Sequence, residues 1–316
     1  MTSPVIEVRT LSKRYGETLA VDRLDFDVLP GRVTGFIGPN GAGKSTTLRM
    51  VMGLDVPTSG TVTVAGKLYA EHRRPLFTVG AVLDAGAVHP GRTAHSHLLC
   101  FAQSNGIGRA RVDELLEVVG LSSVAYKRAG EFSLGMHQRL GIATALLGDP
   151  GVLIFDEPMN GLDPNGIVWI RNLLRSFAQE GRTVFLSSHL MEEMSLTAEH
   201  LIVIGQGRLL ADSSVGEFIA GTSRNFVRVR SPMAERLVDL LAANGATSKS
   251  EEDGTLSVTG TDAKTIGEVA AAQGIVLYEL TPEQASLEEA FLELTHDSAD
   301  FRPGADQRAV RHTEAA

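Results

Sequence analysis

The segment Gly38-Pro39-Asn40-Gly41-Ala42-Gly43-Lys44-Ser45 constrains this chain more than any other. It follows an apolar run at residues 33–37 and precedes a stretch, 45–52, that reads as a helix. In that context the pattern G-x-x-x-x-G-K-[ST] lets successive backbone N–H groups curl around a polyphosphate, with the positive end of the helix behind them. Lys44 is then placed to reach the β and γ phosphates and the Ser45 hydroxyl to ligate Mg²⁺. A strand that ends in such a loop belongs to an α/β sheet covered by helices.

A second element completes the chemistry. Val152-Leu153-Ile154-Phe155-Asp156-Glu157 is an apolar strand with two carboxylates at its end. Successive strand side chains point to opposite faces. Asp156 can therefore hold the Mg²⁺ shell while Glu157 faces the γ phosphate and takes a proton from attacking water. In isolation an Asp-Glu pair is more often a solvated turn; the phosphate loop reverses that preference. Together the two elements define a nucleotide hydrolase.

The remaining pattern places both on one fold. Residues 6–10 and 24–28 alternate apolar and polar, as half-buried antiparallel strands do, and 61–64 and 79–83 read as further short strands. From 93 to 147 the pattern is helical, with Val112, Leu115, Leu116 and Val119 on one face. Strands return at 152–155, 183–186 and 201–204, separated by a helix at 165–179, and a hairpin at 202–211 turns around Gln206-Gly207. The expected fold is a P-loop NTPase core with a mixed sheet and a helical subdomain at about 93–147, together spanning 1–221. Residues 222–296 read as a small α+β domain: strand 226–229, helix 233–243, a strand pair around 251–254, helix 263–273, strand 275–280 and helix 286–294. Residues 297–316, polar and poor in bulky apolar side chains, read as a disordered tail.

Composition excludes several classes. With 43% apolar and 21% charged residues the chain is an ordinary globular protein. Its net charge of −9 argues against a broadly basic nucleic-acid binder. No apolar run approaches the roughly 18 residues of a membrane-spanning helix, and the first ten residues lack a secretory pattern. The single cysteine, Cys100, cannot form an internal disulfide, which fits a reducing compartment.

Five motifs in order now carry a resemblance. Phe132-Ser133-Leu134-Gly135-Met136-His137-Gln138-Arg139 resembles the signature loop of the ATP-binding cassette family, Gly161-Leu162-Asp163 its D-loop, and Ser187-Ser188-His189 its switch histidine. The other two are the phosphate loop and the carboxylate strand. Tyr15, in Leu11-Ser12-Lys13-Arg14-Tyr15-Gly16, resembles the aromatic that stacks on adenine. The details around the signature, and a Ser-Leu-Glu-Glu-Ala-Phe run at 286–291, resemble the bacterial branch that powers drug and antibiotic exporters.

The resemblance implies an ATPase that uses ATP and Mg²⁺. Its ATP-binding set is Tyr15, Gly38, Pro39, Asn40, Gly41, Ala42, Gly43, Lys44, Ser45 and Thr46, and its catalytic set is Lys44, Glu157 and His189. Ser45, Asp156 and, at the position where the family usually has glutamine, Asp84 are the implied metal ligands. Ser133 and Gly135 would act in trans on the nucleotide of a second copy, with Asp163 crossing the interface. An integral membrane permease subunit is the other implied partner, no nucleic acid is expected, and the location is the cytoplasmic face of the membrane.

Three departures or side signals accompany this reading. Asp84 is shorter than glutamine and anionic; Leu134 and Met136 replace the usual second glycine and following glutamine of the signature. His95, His97 and Cys100 lack zinc-motif spacing and read as helix-surface and core residues. Two other functions share the motifs: a cassette ATPase acting on nucleic acid or the ribosome, and a nucleotide sensor with weak turnover. The first commonly carries paired cassettes, long coiled-coil insertions or zinc modules, none of which the sequence contains; measured hydrolysis separates the second.

Overall fold

A computed structural model describes residues 3–221, 225–251, 255–283 and 285–297. The expected tail at 297–316 lies outside the described residues apart from position 297. The chain divides into two compact units, Met1–Val215 and Gly216–Ala316. The division falls at the start of a short helix, Val215–Ala220, a few residues ahead of the boundary read from the sequence.

The first unit holds two sheets. Strands β1 (Ile6–Tyr15), β2 (Thr18–Val28) and β4 (Ser59–Val64) form an antiparallel sheet in the order β2-β1-β4. The larger sheet takes β3 (Val33–Ile37), β5 (Val79–Val82), β6 (Val152–Phe155), β7 (Thr183–Ser188), β8 (His200–Gly205) and β9 (Arg208–Ser214) in the order β5-β6-β7-β3-β8-β9. Its strands are parallel except β9, which returns from β8 through the Gln206-Gly207 turn. Strands buried on both faces read as continuous apolar runs, and β3 and β6 are buried at every residue.

One apolar core joins the two sheets. Phe26 of β2, Phe36 of β3 and Phe185 of β7 meet with ring centroids 5.3–6.0 Å apart. Tilted aromatic pairs add about 0.5–1.5 kcal/mol each beyond area burial. Helix α1 (Lys44–Val51) packs Leu48, Met50 and Val51 into the same core, which fixes the direction in which its N-terminus points.

The segment between β5 and β6 is helical, as expected: α2 (Ala94–Ser104), α3 (Arg109–Val118) and α4 (Leu134–Ala145). Val112, Leu115, Leu116 and Val119 are all buried there. Helix α5 (Pro164–Gln179) follows β6, and α6 (Met191–Thr197) follows β7.

The second unit begins with the rest of α7 (Val215–Ala220) and continues through β10 (Phe226–Arg230), α8 (Ala234–Ala243), β11 (Thr247–Ser250), β12 (Leu256–Thr259), α9 (Ala263–Ala272), β13 (Glu279–Glu283) and α10 (Leu287–Asp297). Its antiparallel sheet has the order β11-β12-β10-β13, a split β-α-β-β-α-β arrangement. Leu237, Leu241, Ile266 and Ala270 from the helices cover Val227, Val229, Leu256 and Val258. The last strand corrects the sequence reading. Ile275 and Leu277 precede the strand and pack against the core, and pairing with β10 begins at Glu279 opposite Arg230.

Candidate functional site

The phosphate loop lies at the C-terminal end of β3, between β7 and β8 in the sheet. This is the edge of a parallel sheet where ligands bind. Its geometry requires glycine at two positions. Gly43, the N-cap of α1, has φ 102°, and a Cβ there would lie 2.6 Å from the Ala20 carbonyl oxygen. Gly38 sits so close beneath β8 that a Cβ would overlap the Ile204 carbonyl oxygen.

Lys44 is only 6% exposed, and its ammonium is turned onto the loop. Nζ donates to the carbonyls of Gly38 at 2.7 Å and Pro39 at 3.3 Å. It also lies 3.6 Å from Glu157 Oε1. Opposite charges at that distance in a partly buried site attract strongly.

Strand order delivers the carboxylates to the same place, because β6 lies beside β7 and β7 beside β3. The Ser187 hydroxyl at the end of β7 donates to Asp156 Oδ1 and accepts the Glu157 amide at 3.0 Å, so one side chain orients both acidic residues. Glu157 has φ 50°, a left-handed conformation that is strained for a residue with a side chain. His189, just past β7, places Nδ1 2.8 Å from Glu157 Oε2. The carboxylate is thus held between an ammonium and an imidazole.

A cleft of about 350 Å³ opens over these groups. Pro39, Asn40, Gly41, Gly43, Lys44, Ser45, Thr46, Glu157 and His189 line it, all named from the sequence. Ala20 and Asn160 line it as well and were not. Asn160 was readable as the polar residue three places beyond Glu157, whereas Ala20 lies in strand β2, which only the folded register brings there. Gly38 and Ala42 are buried in the loop, outside this lining.

Tyr15 lies beside the cleft rather than in it. Its ring is 47% exposed, with the Lys13 ammonium 4.9 Å from the centroid, and its hydroxyl donates to Asp55 Oδ2 at 2.7 Å. That hydrogen bond is the main cause that raises the phenol above its ordinary pKa. Asp55 is held below the usual carboxylate range, first by Arg49 at 2.9 Å and then by Tyr15.

The other named residues stand elsewhere. Ser133 caps α4, its hydroxyl accepting the Met136 amide at 3.3 Å, with Gly135 in the first turn. Asp163 caps α5 by accepting the Gly166 amide at 2.9 Å. Asp84 accepts the Gly86 amide at 2.7 Å and lines a second, apolar groove of about 390 Å³ with Leu54, Val88, His97 and Phe101. Asp84 is not among the residues that line the phosphate cleft. His97 is buried, its pKa lowered by desolvation and then by Arg92, while Cys100 on the same helix is exposed.

The donors fit Mg²⁺ of a particular kind. Among the described residues no three acidic, histidine or cysteine side chains gather as a metal cage. Ser45, which lines the cleft, and Asp156, held next to Glu157 by the Ser187 hydroxyl, are oxygen donors that suit an ion taking the rest of its shell from phosphate and water.

Comparison with known proteins agrees with this geometry. Residues 21–160 match the ABC transporter family, and residues 225–288 match a domain of unknown function, DUF8746. The chain is 36% identical over 300 residues to the bacitracin transport ATP-binding protein BcrA of Bacillus licheniformis, covering 92% of this chain and 97% of that one. It is 37% identical over 304 residues to the Nod factor export ATP-binding protein I of Paraburkholderia xenovorans (strain LB400), covering 93% and 98%. A solved ATP-binding subunit of an ABC transporter superposes with a TM-score of 0.63 at 26% identity, over 68% of this chain and 92% of that one. With the phosphate loop, Glu157 and His189 in one cleft, and relatives alike over nearly their whole length, the chain belongs to the ABC transporter family as an ATP-hydrolysing subunit.

Proposed function

We propose that this subunit works as a homodimer with Mg²⁺ on the cytoplasmic face of a membrane, energising export of an amphipathic compound such as a drug or antibiotic through a separate membrane subunit. The observation that carries the hydrolytic part is the position of Glu157, 3.6 Å from Lys44 and 2.8 Å from His189. A carboxylate so placed beside a phosphate loop can take the proton of a water that attacks the γ phosphate. His189 fixes its orientation, and Lys44 with the loop amides holds the phosphates. When bound at Ser45 and Asp156, Mg²⁺ would neutralise charge on the β and γ phosphates.

The dimer is supported by the signature. Ser133 and Gly135 stand at the N-terminus of α4, outside the cleft of their own subunit, where helix amides suit an anion supplied by another chain. Export is supported by the likeness to the bacitracin and Nod factor proteins, whose names carry transport and export. A separate membrane subunit is supported by the same likeness to transport and export ATP-binding proteins. The groove at Asp84 and Phe101, lined also by exposed Leu54, is the surface we assign to that partner's cytoplasmic segment.

Isolation of the full chain from membranes tests this reading. The expected result is a membrane-spanning protein that co-purifies and stimulates ATP hydrolysis. Isolation without one, together with association with ribosomes or nucleic acid, would overturn it.

A further inference from the structure

Leu134 opens α4 between the two signature residues, Ser133 and Gly135. Its side chain packs on the backbone of Gly161, in the loop that follows Glu157. A Cβ on Gly161 would overlap Leu134 Cδ2 and lie 2.8 Å from its Cγ. Gly161 has φ 72°, so conformation and contact both demand glycine there. The next residues meet in the opposite sense, since a Cβ on Gly135 would lie 3.3 Å from Leu162 Cδ2. A second fastening joins α4 to α5, the helix that follows this loop. The Arg139 guanidinium of α4 lies 4.1 Å above the ring of Trp169 on α5, while its NH1 donates to the Val119 carbonyl at 2.9 Å.

The loop that carries Gly161 is tied at its other end to the main chain of Glu157. The Asn160 amide donates to the Glu157 carbonyl at 3.2 Å, and the Leu162 amide to the Met159 carbonyl at 3.3 Å. Asp163 then closes the loop onto α5 with its cap. Residues 157–163 therefore form a short link of successive turns rather than a free loop.

We propose that Leu134 is a positioning residue that locks the signature helix to the loop after Glu157, so that the carboxylate serving one nucleotide and the signature serving the other move as one body. The proposal rests on the homodimer reading above. There, Ser133 and Gly135 of one subunit meet the γ phosphate held by the other. Through Leu134 and Gly161, occupancy of that site bears on Glu157 in the subunit that offers the signature. Glycine at position 134 would leave Gly161 unpacked and let the two motifs shift separately. Because Leu134 is 53% exposed, truncating it removes the contact without opening a core cavity.

ATP titrations of hydrolysis by the full-length protein, compared for wild type, Leu134→Ala and Leu134→Met, test the link. Two coupled sites give a Hill coefficient approaching about 2 and independent sites about 1. Leu134→Ala is expected to fall to the lower value while its binding of a fluorescent ATP analogue without Mg²⁺ stays unchanged. Leu134→Met, which can still cover Gly161, is expected to keep the higher value. Cooperativity equal in wild type and Leu134→Ala overturns the proposal, as does a loss in Leu134→Ala that Leu134→Met shares. A wild-type protein that is itself non-cooperative and monomeric with ATP overturns the homodimer reading and this proposal together, so the two failures are told apart by the wild type alone.

Discussion

Lys44 Nζ and Glu157 Oε1 face each other across 3.6 Å, so the cation assigned to the phosphates and the carboxylate proposed as the proton acceptor share one patch of the cleft. A triphosphate must compete with Glu157 for that ammonium. Glu157→Gln removes the competitor and the base at once. Hydrolysis is expected to fall by about 10²–10⁴, with ATP affinity equal or higher and an ATP-bound dimer visible by light scattering. A monomer at saturating ATP would count against the homodimer.

Lys44→Ala deletes an ammonium engaged with two loop carbonyls at 2.7 and 3.3 Å. Hydrogen bonds to charged groups are worth about 1.5–3 kcal/mol, which corresponds to roughly 10- to 150-fold in affinity. Equilibrium binding of a fluorescent nucleotide reads this loss. Wild-type affinity in the variant would mean that the loop does not hold the phosphates.

Tyr15 offers a half-exposed ring whose angle is set by its bond to Asp55. If adenine stacks on it, Tyr15→Ala loses about 1–3 kcal/mol of binding, and Tyr15→Phe, which keeps the ring, loses less. Affinity for inorganic triphosphate should not change in either variant. An equal loss for ATP and triphosphate would remove Tyr15 from the base-binding role.

His97 is expected to make the first unit sensitive to acid. Burial, helped by Arg92, holds its folded-state pKa below the ordinary 6.5. As pH falls below that value the unfolded chain takes up the proton first, so stability declines until the folded-state pKa is passed and then levels. His97→Phe is expected to flatten this slope in thermal midpoints measured from about pH 7.5 down to about pH 5. Parallel slopes in the two proteins would assign the acid sensitivity elsewhere.

The two units have separate cores, one around Phe36 and Phe185 and one around Val229 and Leu241. Every residue lining the phosphate cleft lies between Ala20 and His189. A chain ending at residue 221 is therefore expected to bind ATP with unchanged affinity, as measured by the same fluorescent nucleotide. A folded truncation that has lost binding would show that the second unit contributes to the site.

Much of this was legible because the chemistry depends on local order. The runs at 33–37 and 152–155 are strands at those same residues, since a central parallel strand leaves an unbroken apolar signature. The phosphate loop, Glu157 and His189 follow from position at strand ends. Tertiary register was not legible. Nothing local brings Ala20 to the cleft, sends the Asp84 side chain to its own loop, or delays the last strand until Glu279. The caps at Ser133 and Asp163 were hidden differently: both were read for a role toward a nucleotide or a partner, and each also holds the first turn of a helix.

The indole packed beneath Arg139 is the chain's sole tryptophan. Ultraviolet emission from this protein therefore originates, for its indole component, at a single joint between the signature helix and α5. The molecule carries a built-in optical gauge at that joint, and no dye or label need be attached to watch whether it opens when nucleotide arrives.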